Sequence, residues 1–200
     1  MSTTMLETWN AALFLLGSSA ANTTTPSNEA TRALNEAWRG AVKTCLEQGD
    51  FDCAKQRGAL SVVEPAPAFG WTYYYAIPAD SLRLVYVSQT GMQNDPLLRY
   101  AIEDGKIATD ATTVYAIWIS STVIDTPGKW SSNFGNFVAA TLASRCLRLN
   151  PSARDDVQLA LKRANAGAQG VDAVQNPPTF RRPGQWASAA RRGGSSEQGR

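Results

Sequence analysis

Histidine is absent from these 200 residues. With it go the Ser-His-Asp and Cys-His arrangements and the usual proton shuttle near neutral pH. Cysteine is scarce. Cys45, Cys53 and Cys146 are an odd number without C-x-x-C spacing, which speaks against a metal site or a disulfide framework and for buried thiols. No Walker A loop or G-x-G-x-x-G occurs, so no cofactor is expected. Charged residues make up 18% of the chain, and a sparsely charged surface often hides partly in an assembly. Long apolar runs are missing too. The run at 11–16 is far short of the roughly 20 residues that span a bilayer. No basic segment precedes it and no small-residue cleavage site follows, so the chain is expected off the membrane, in the cytoplasm where it is made.

The remaining acids read as structural. Glu103-Asp104 sits at a hairpin tip, and Asp155-Asp156 lies in a helix first turn, where negative charge is favoured. Asp80 is expected to brace the turn at Pro78. A two-carboxylate hydrolase would reveal itself only in the fold, but no convergent site is visible, and the chain is not expected to be an enzyme.

What the chain does have is 44% apolar residues, enough for one domain with a core. From 5 to 16 the apolar residues Met5, Leu6, Trp9, Ala12, Leu13 and Leu16 form one helical stripe, with Gly17 placed to end it. Pro26 and Ser27 then open a second helix, Ser27 as cap, whose stripe runs from Ala30 through Trp38 to Leu46 and stops near Gly49. A shorter helix is predicted over 51–60. The period then changes. Residues 71–76 are aromatic and strand-like, and 81–88 alternate, Leu82, Leu84 and Tyr86 against Arg83, Val85 and Val87. Segments 98–103 and 106–109 flank Asp104-Gly105, a hairpin signal, and 113–121 is rich in β-branched and aromatic residues. Helix returns over 133–149, with small residues Ala139, Ala140, Ala143 and Ser144 beside its apolar side. After Asn150-Pro151, Ser152 and Asp155 can cap a last helix reaching at least 170. This order predicts an α+β fold, a helical bundle with a small antiparallel β-sheet inserted in it. The body is 1–172, with helices in 5–60 and 133–172 and the sheet in 71–121.

Residues 173–200 form an extended basic C-terminal arm, holding Arg181, Arg182, Arg191, Arg192 and Arg200 against Glu197, a balance of +4. The preceding 172 residues carry 14 basic and 16 acidic side chains. The arm is too poor in apolar residues to fold alone. It is either a solvated tail or a segment that orders on a partner. Phe180 and Trp186 favour the partner, because plain linkers seldom carry large aromatics. Arg with aromatics and an Arg-Gly-Gly at 192–194 also suit a nucleic-acid-binding protein with a disordered Arg-rich tail. Four net charges are a thin footprint for that alternative, and no helix-turn-helix, RRM or zinc-finger pattern accompanies them.

Five segments resemble, in order, the head–tail adaptor proteins of tailed bacteriophages, in particular the tail tubular protein A-like adaptors of short-tailed phages and of gene transfer particles. They are Trp9-Asn10-Ala11-Ala12-Leu13 with Leu16-Gly17; Trp38 followed by Phe51-Asp52-Cys53-Ala54-Lys55-Gln56-Arg57 and Leu60; and the stretch from Gly70-Trp71-Thr72-Tyr73 through Ile77-Pro78-Ala79-Asp80 to Leu82-Arg83. The hairpin with the strand at 114–119 and the helix opened by Trp130 and Phe134 come next, then the Arg-Arg-Pro…Arg-Arg-Gly ending. The family tends to have Trp-x-Phe-Ala-x-x-Arg in the second segment; Phe51 and Cys53 stand in its aromatic places, so the second aromatic is lost.

The resemblance implies a structural role in the virion neck, reached from the host cytoplasm. A homo-oligomeric ring, usually of twelve copies, would sit between the portal protein and the next tail component. Genomic DNA would pass through its lumen without sequence-specific binding. The arm would bind the portal through Phe180, Arg181, Arg182, Trp186, Arg191 and Arg192. A closed ring needs one surface of a subunit to meet a different surface of its neighbour, and Tyr73, Tyr75, Arg83 and Arg145 are candidates for that interface. The plainer reading of the tyrosine strand is one core face and one solvated face, and solvated faces are the plainer reading of the arginines.

Overall fold

A computed structural model describes residues 4–92 and 98–175, and within it the chain is a mixed α+β fold with small antiparallel sheets. Helix α1 spans Met5–Leu15. Thr4 starts it with a reciprocal cap: the Glu7 N–H donates to Thr4 Oγ1 at 3.1 Å, and the Thr4 N–H donates to Glu7 Oε2 at 2.7 Å. Gly17, at φ +66°, ends it as expected, and the Ser18 N–H turns back to the Leu13 carbonyl. Helix α2 spans Glu29–Gln48. Its cap is Asn28 rather than the expected Ser27: Asn28 Oδ1 accepts the Thr31 N–H at 2.9 Å, while Ser27 merely donates its own N–H to Thr31 Oγ1.

Helix α3, Ser132–Arg145, is the centre of the helical part. Phe134, Phe137, Val138, Ala139, Ala140, Leu142 and Ala143 are all buried, because α1, α2 and α4 each pack against it. Its small residues permit that crowding. Helix α4, Arg154–Gln175, follows a 3-10 turn at Pro151–Ala153, and the Ser152 hydroxyl donates to Asn150 Oδ1.

Seven described strands form two sheets where one was expected. Strands β1 (Lys55–Ala59), β4 (Ser81–Ser88) and β7 (Tyr115–Ser120) make the first, in the order β1-β7-β4. Strands β2 (Val62–Val63), β3 (Tyr73–Ala76), β5 (Ala101–Glu103) and β6 (Lys106–Thr109) make the second, in the order β2-β3-β6-β5. The predicted helix over 51–60 is thus mostly strand: one 3-10 turn at Asp52–Ala54 leads into β1, which pairs from Lys55↔Ile119 to Ala59↔Tyr115. Tertiary pairing overrides local preference there, and Gly58 lies close enough to the Trp118 ring for an added Cβ to touch it at 3.5 Å.

The first sheet is shared by two cores. Ile119, Leu82 and Val85 pack with the helices around Trp38, Trp130, Phe134 and Phe137. Ala116, Trp118, Leu84 and Val87 pack with Tyr75 and Ile107 of the second sheet. The predicted alternation along β4 fails because register shifts fall between Ser81 and Arg83 and between Leu84 and Tyr86. Each extra residue flips the faces, which is how Leu82 and Val85 come to share the helical side. The hairpin expectation holds: Asp104 and Gly105 have φ +48° and +68°, joining β5 to β6.

Candidate functional site

The arm residues Phe180, Arg181, Arg182, Trp186, Arg191 and Arg192 lie outside the described residues. The four body residues expected at a subunit interface are all placed, and they do not converge. Tyr75 is 1% exposed, donating its hydroxyl to the Ala111 carbonyl at 2.9 Å. Tyr73, two residues away on the same face, packs against the same core with its ring 6.4 Å from that of Tyr75. Those two rings therefore hold the sheets together, and it is Tyr74 that faces outward. Its hydroxyl donates to Glu103 Oε2 at 3.2 Å, and Lys106 Nζ lies 5.5 Å from its ring centre. Desolvation, and then the Glu103 carboxylate, hold the Tyr74 phenol above its ordinary pKa.

Arg83 is an internal tie. Its guanidinium donates to the Gly49 carbonyl at 3.0 Å and to Asp50, placing a cation at the C-terminal end of α2. Arg145 is exposed and crosses α2 at Gly40, donating to Thr44 Oγ1 at 2.7 Å. Asp80, expected to brace the turn at Pro78, directs its carboxylate across to β7, accepting from the Ser120 hydroxyl at 2.5 Å and more distantly from Trp118 Nε1.

Two thiols are sealed in the core. Cys45 donates to Thr141 Oγ1 at 3.2 Å, and burial pushes its pKa up to about 12. Burial likewise raises that of Cys146. Neither supplies a thiolate near neutral pH. Among the described residues no group of three or more Cys, Asp or Glu side chains could hold a metal ion, and no helix is long and apolar enough to cross a membrane.

What the described surface offers instead is apolar exposure. Phe14 is 83% exposed and Phe69 89%, and Val62 and Ile102 stand at the two edges of the second sheet. Phe14 borders a groove of about 450 Å³ between α1 and α4, floored by α3. Ala139, Ala140, Ala164 and Gly167 line it, and a Cβ added at Gly167 would meet nothing within 4 Å. A second hollow of about 630 Å³ lies beside Trp38, crossed by the Arg39–Asp125 ion pair at 3.1 Å. Sequence reasoning missed both. Phe14 carried the one available signal, a large aromatic off the α1 stripe. No protein-family model matches the chain, and no curated protein matches it.

Proposed function

We propose that the protein is a structural head–tail adaptor of a tailed phage or phage-like particle, forming a ring between the portal and the tail that continues the DNA channel. The observation that carries this reading is the ordered set of five sequence segments, above all the run from Gly70 to Arg83. In the finer form of the fold, the helices are a bundle and the sheets an insertion between its second and third helices. Chain order is in keeping with that form, since α1 and α2 precede all the strands and α3 and α4 follow them.

The arm attaches the ring to the portal. Phe180 and Trp186 fill apolar pockets, while the neighbouring arginines pair with carboxylates or carbonyls. Fixing a segment on its partner costs entropy, so each arm binds modestly, and repetition around a ring multiplies the attachment. The lumen lets DNA slide, which requires weak, sequence-independent contact.

The test is imaging of purified particles with this chain tagged. Signal at the neck is expected, and signal on the capsid shell or a distal fibre overturns the reading. In the same system, deletion of residues 178–200 should leave a folded body that no longer sediments with portal-bearing heads. Tight duplex binding that collapses steeply with salt would point instead to a nucleic-acid-binding protein.

A further inference from the structure

We infer that the groove between α1 and α4 is the resting berth of the chain's own arm, residues 177–186, with Trp186 covering Phe14. Small residues on three helices, Ala11, Ala139, Ala140, Ala160, Ala164 and Gly167, make the groove, so the hollow follows from the sequence. Asn133, Asn136 and Arg163 complete its lining. Phe14 at its edge is 83% exposed, and Leu159, one turn before the lining residue Arg163 on α4, is 47% exposed. Taking such side chains out of water is favourable, a standing drive for an occupant.

The geometry of the chain names that occupant. Helix α4 is one wall of the groove, and the described chain ends on it at Gln175. Gly167 lies eight residues back, about 12 Å along the helix, and Ala160 fifteen back, about 22 Å. Pro177 and Pro178 stop a helix from continuing. An extended return strand covers at most ~3.5 Å per residue, so Phe180 reaches the level of Gly167 and Trp186 passes that of Ala160. Charge agrees at both ends. By helical spacing Glu7 shares the face of Ala11, and Asp156 that of Ala160, while the arm carries arginines after both of its aromatics. Among the described residues of the lining Arg163 is the one cation, and it sets the arginines toward the ends.

In the adaptor reading, on which this consequence rests, the arm is parked on its own body until a portal offers better pockets. The test uses the full chain with Cys53→Ser and Leu159→Cys, labelled at residue 159 with bimane, a fluorophore quenched by contact with tryptophan. Quenching is expected, unchanged on dilution, and most of it is lost in Trp186→Phe and in Phe14→Glu. The Phe14 side chain is exposed, so the second variant should retain the parent circular dichroism. Emission unaffected by Trp186→Phe overturns the inference, as does quenching that disappears on dilution, which would mean the arm of a second copy. Neither result touches the neck-labelling test, so the two proposals fail separately.

Discussion

Two glycines touch the helical core, and adding one methyl group to each should have opposite consequences. A Cβ on Gly49 would lie 2.7 Å and 2.8 Å from atoms of the Phe51 ring. That ring is 2% exposed and packed against Phe134 at 4.7 Å and Phe137 at 6.3 Å between centroids, so it has nowhere to go. The Gly49 backbone, at φ −152°, is ordinary extended chain, and the clash alone decides the outcome. Overpacking of this kind costs about 1–3 kcal/mol. Stiffening the unfolded chain returns about 0.4–1 kcal/mol. Gly49→Ala should therefore lose about 1–2 kcal/mol, or roughly 2–8 °C in Tm for a chain of this length. A Cβ on Gly40 would also be too close, 2.8 Å from Arg145 Nη1, but this atom ends a flexible, exposed side chain. Swinging it away sacrifices the bond to Thr44, about 0.5–1 kcal/mol. Alanine inside a helix gains about 1 kcal/mol over glycine. Gly40→Ala should fall within about 0.5 kcal/mol of the parent, on the stable side. Urea unfolding followed by circular dichroism reads both, as a change in midpoint at constant slope. The cost of Gly49→Ala should shrink in a Phe51→Leu background, because leucine leaves room for the methyl. An unchanged cost in that background, or Gly40→Ala proving the worse variant, would refute the reasoning.

Asp80→Ala should lose roughly 1.5–3 kcal/mol, since a charged acceptor is removed from the buried Ser120 hydroxyl, with Asp80→Asn recovering part in the same urea assay. Trp130→Phe removes the indole N–H that donates to the Val123 carbonyl at 3.0 Å, a carbonyl that keeps the Thr126 N–H at 3.1 Å, and weakens the stack on Trp38; the lost bond and stack together cost about 1–3 kcal/mol, read from the urea midpoint. The Cys45 pKa rises on folding from 9.0 to about 12, so the folded chain keeps a proton that the unfolded chain releases. Its contribution is complete below about pH 9 and falls between 9 and 12, by at most about 1.4 kcal/mol per pH unit. Cys45→Ala should flatten that part of the stability–pH curve, and an equally steep curve in the variant would contradict the assignment. Native-state alkylation should reach half-buried Cys53 well before Cys45 or Cys146, by peptide mass spectrometry over time.

The helices were legible because burial alone dictates them. The stripes of α1 and α2 match the buried residues almost position for position, and glycine marks the end of each helix. Errors came where a distant partner decides. Residues 55–59 read Lys-Gln-Arg-Gly-Ala, a poor strand by local preference, yet β7 offers a free edge and Trp118 needs a neighbour without a side chain. The division into two sheets was equally invisible. Nothing in the local pattern says that the chain leaves one sheet after Ala59 and joins the other at Val62.

The tyrosine triplet shows why alternation could be read from the strand while the face of each ring could not. Tyr73-Tyr74-Tyr75 is symmetric in its chemistry, so alternation requires two faces without saying which ring belongs to which. The choice is made across the sheet. Tyr75 pairs with Ile107, which is fully buried, and Tyr74 pairs with Ala108 and lies near Lys106 and Glu103. Slipping β3 by one residue would bury Tyr74 and expose Tyr75, and would set a ring that now meets the ion-bearing hairpin against the Trp118 core. Register is thus held by Ile107 and by the Asp104-Gly105 turn that places it, some thirty residues beyond the triplet. The opposite face of the strand carries Tyr74, its ring flanked by both signs of charge at Glu103 and Lys106, a position that alternation alone left equally open to Tyr73 or Tyr75.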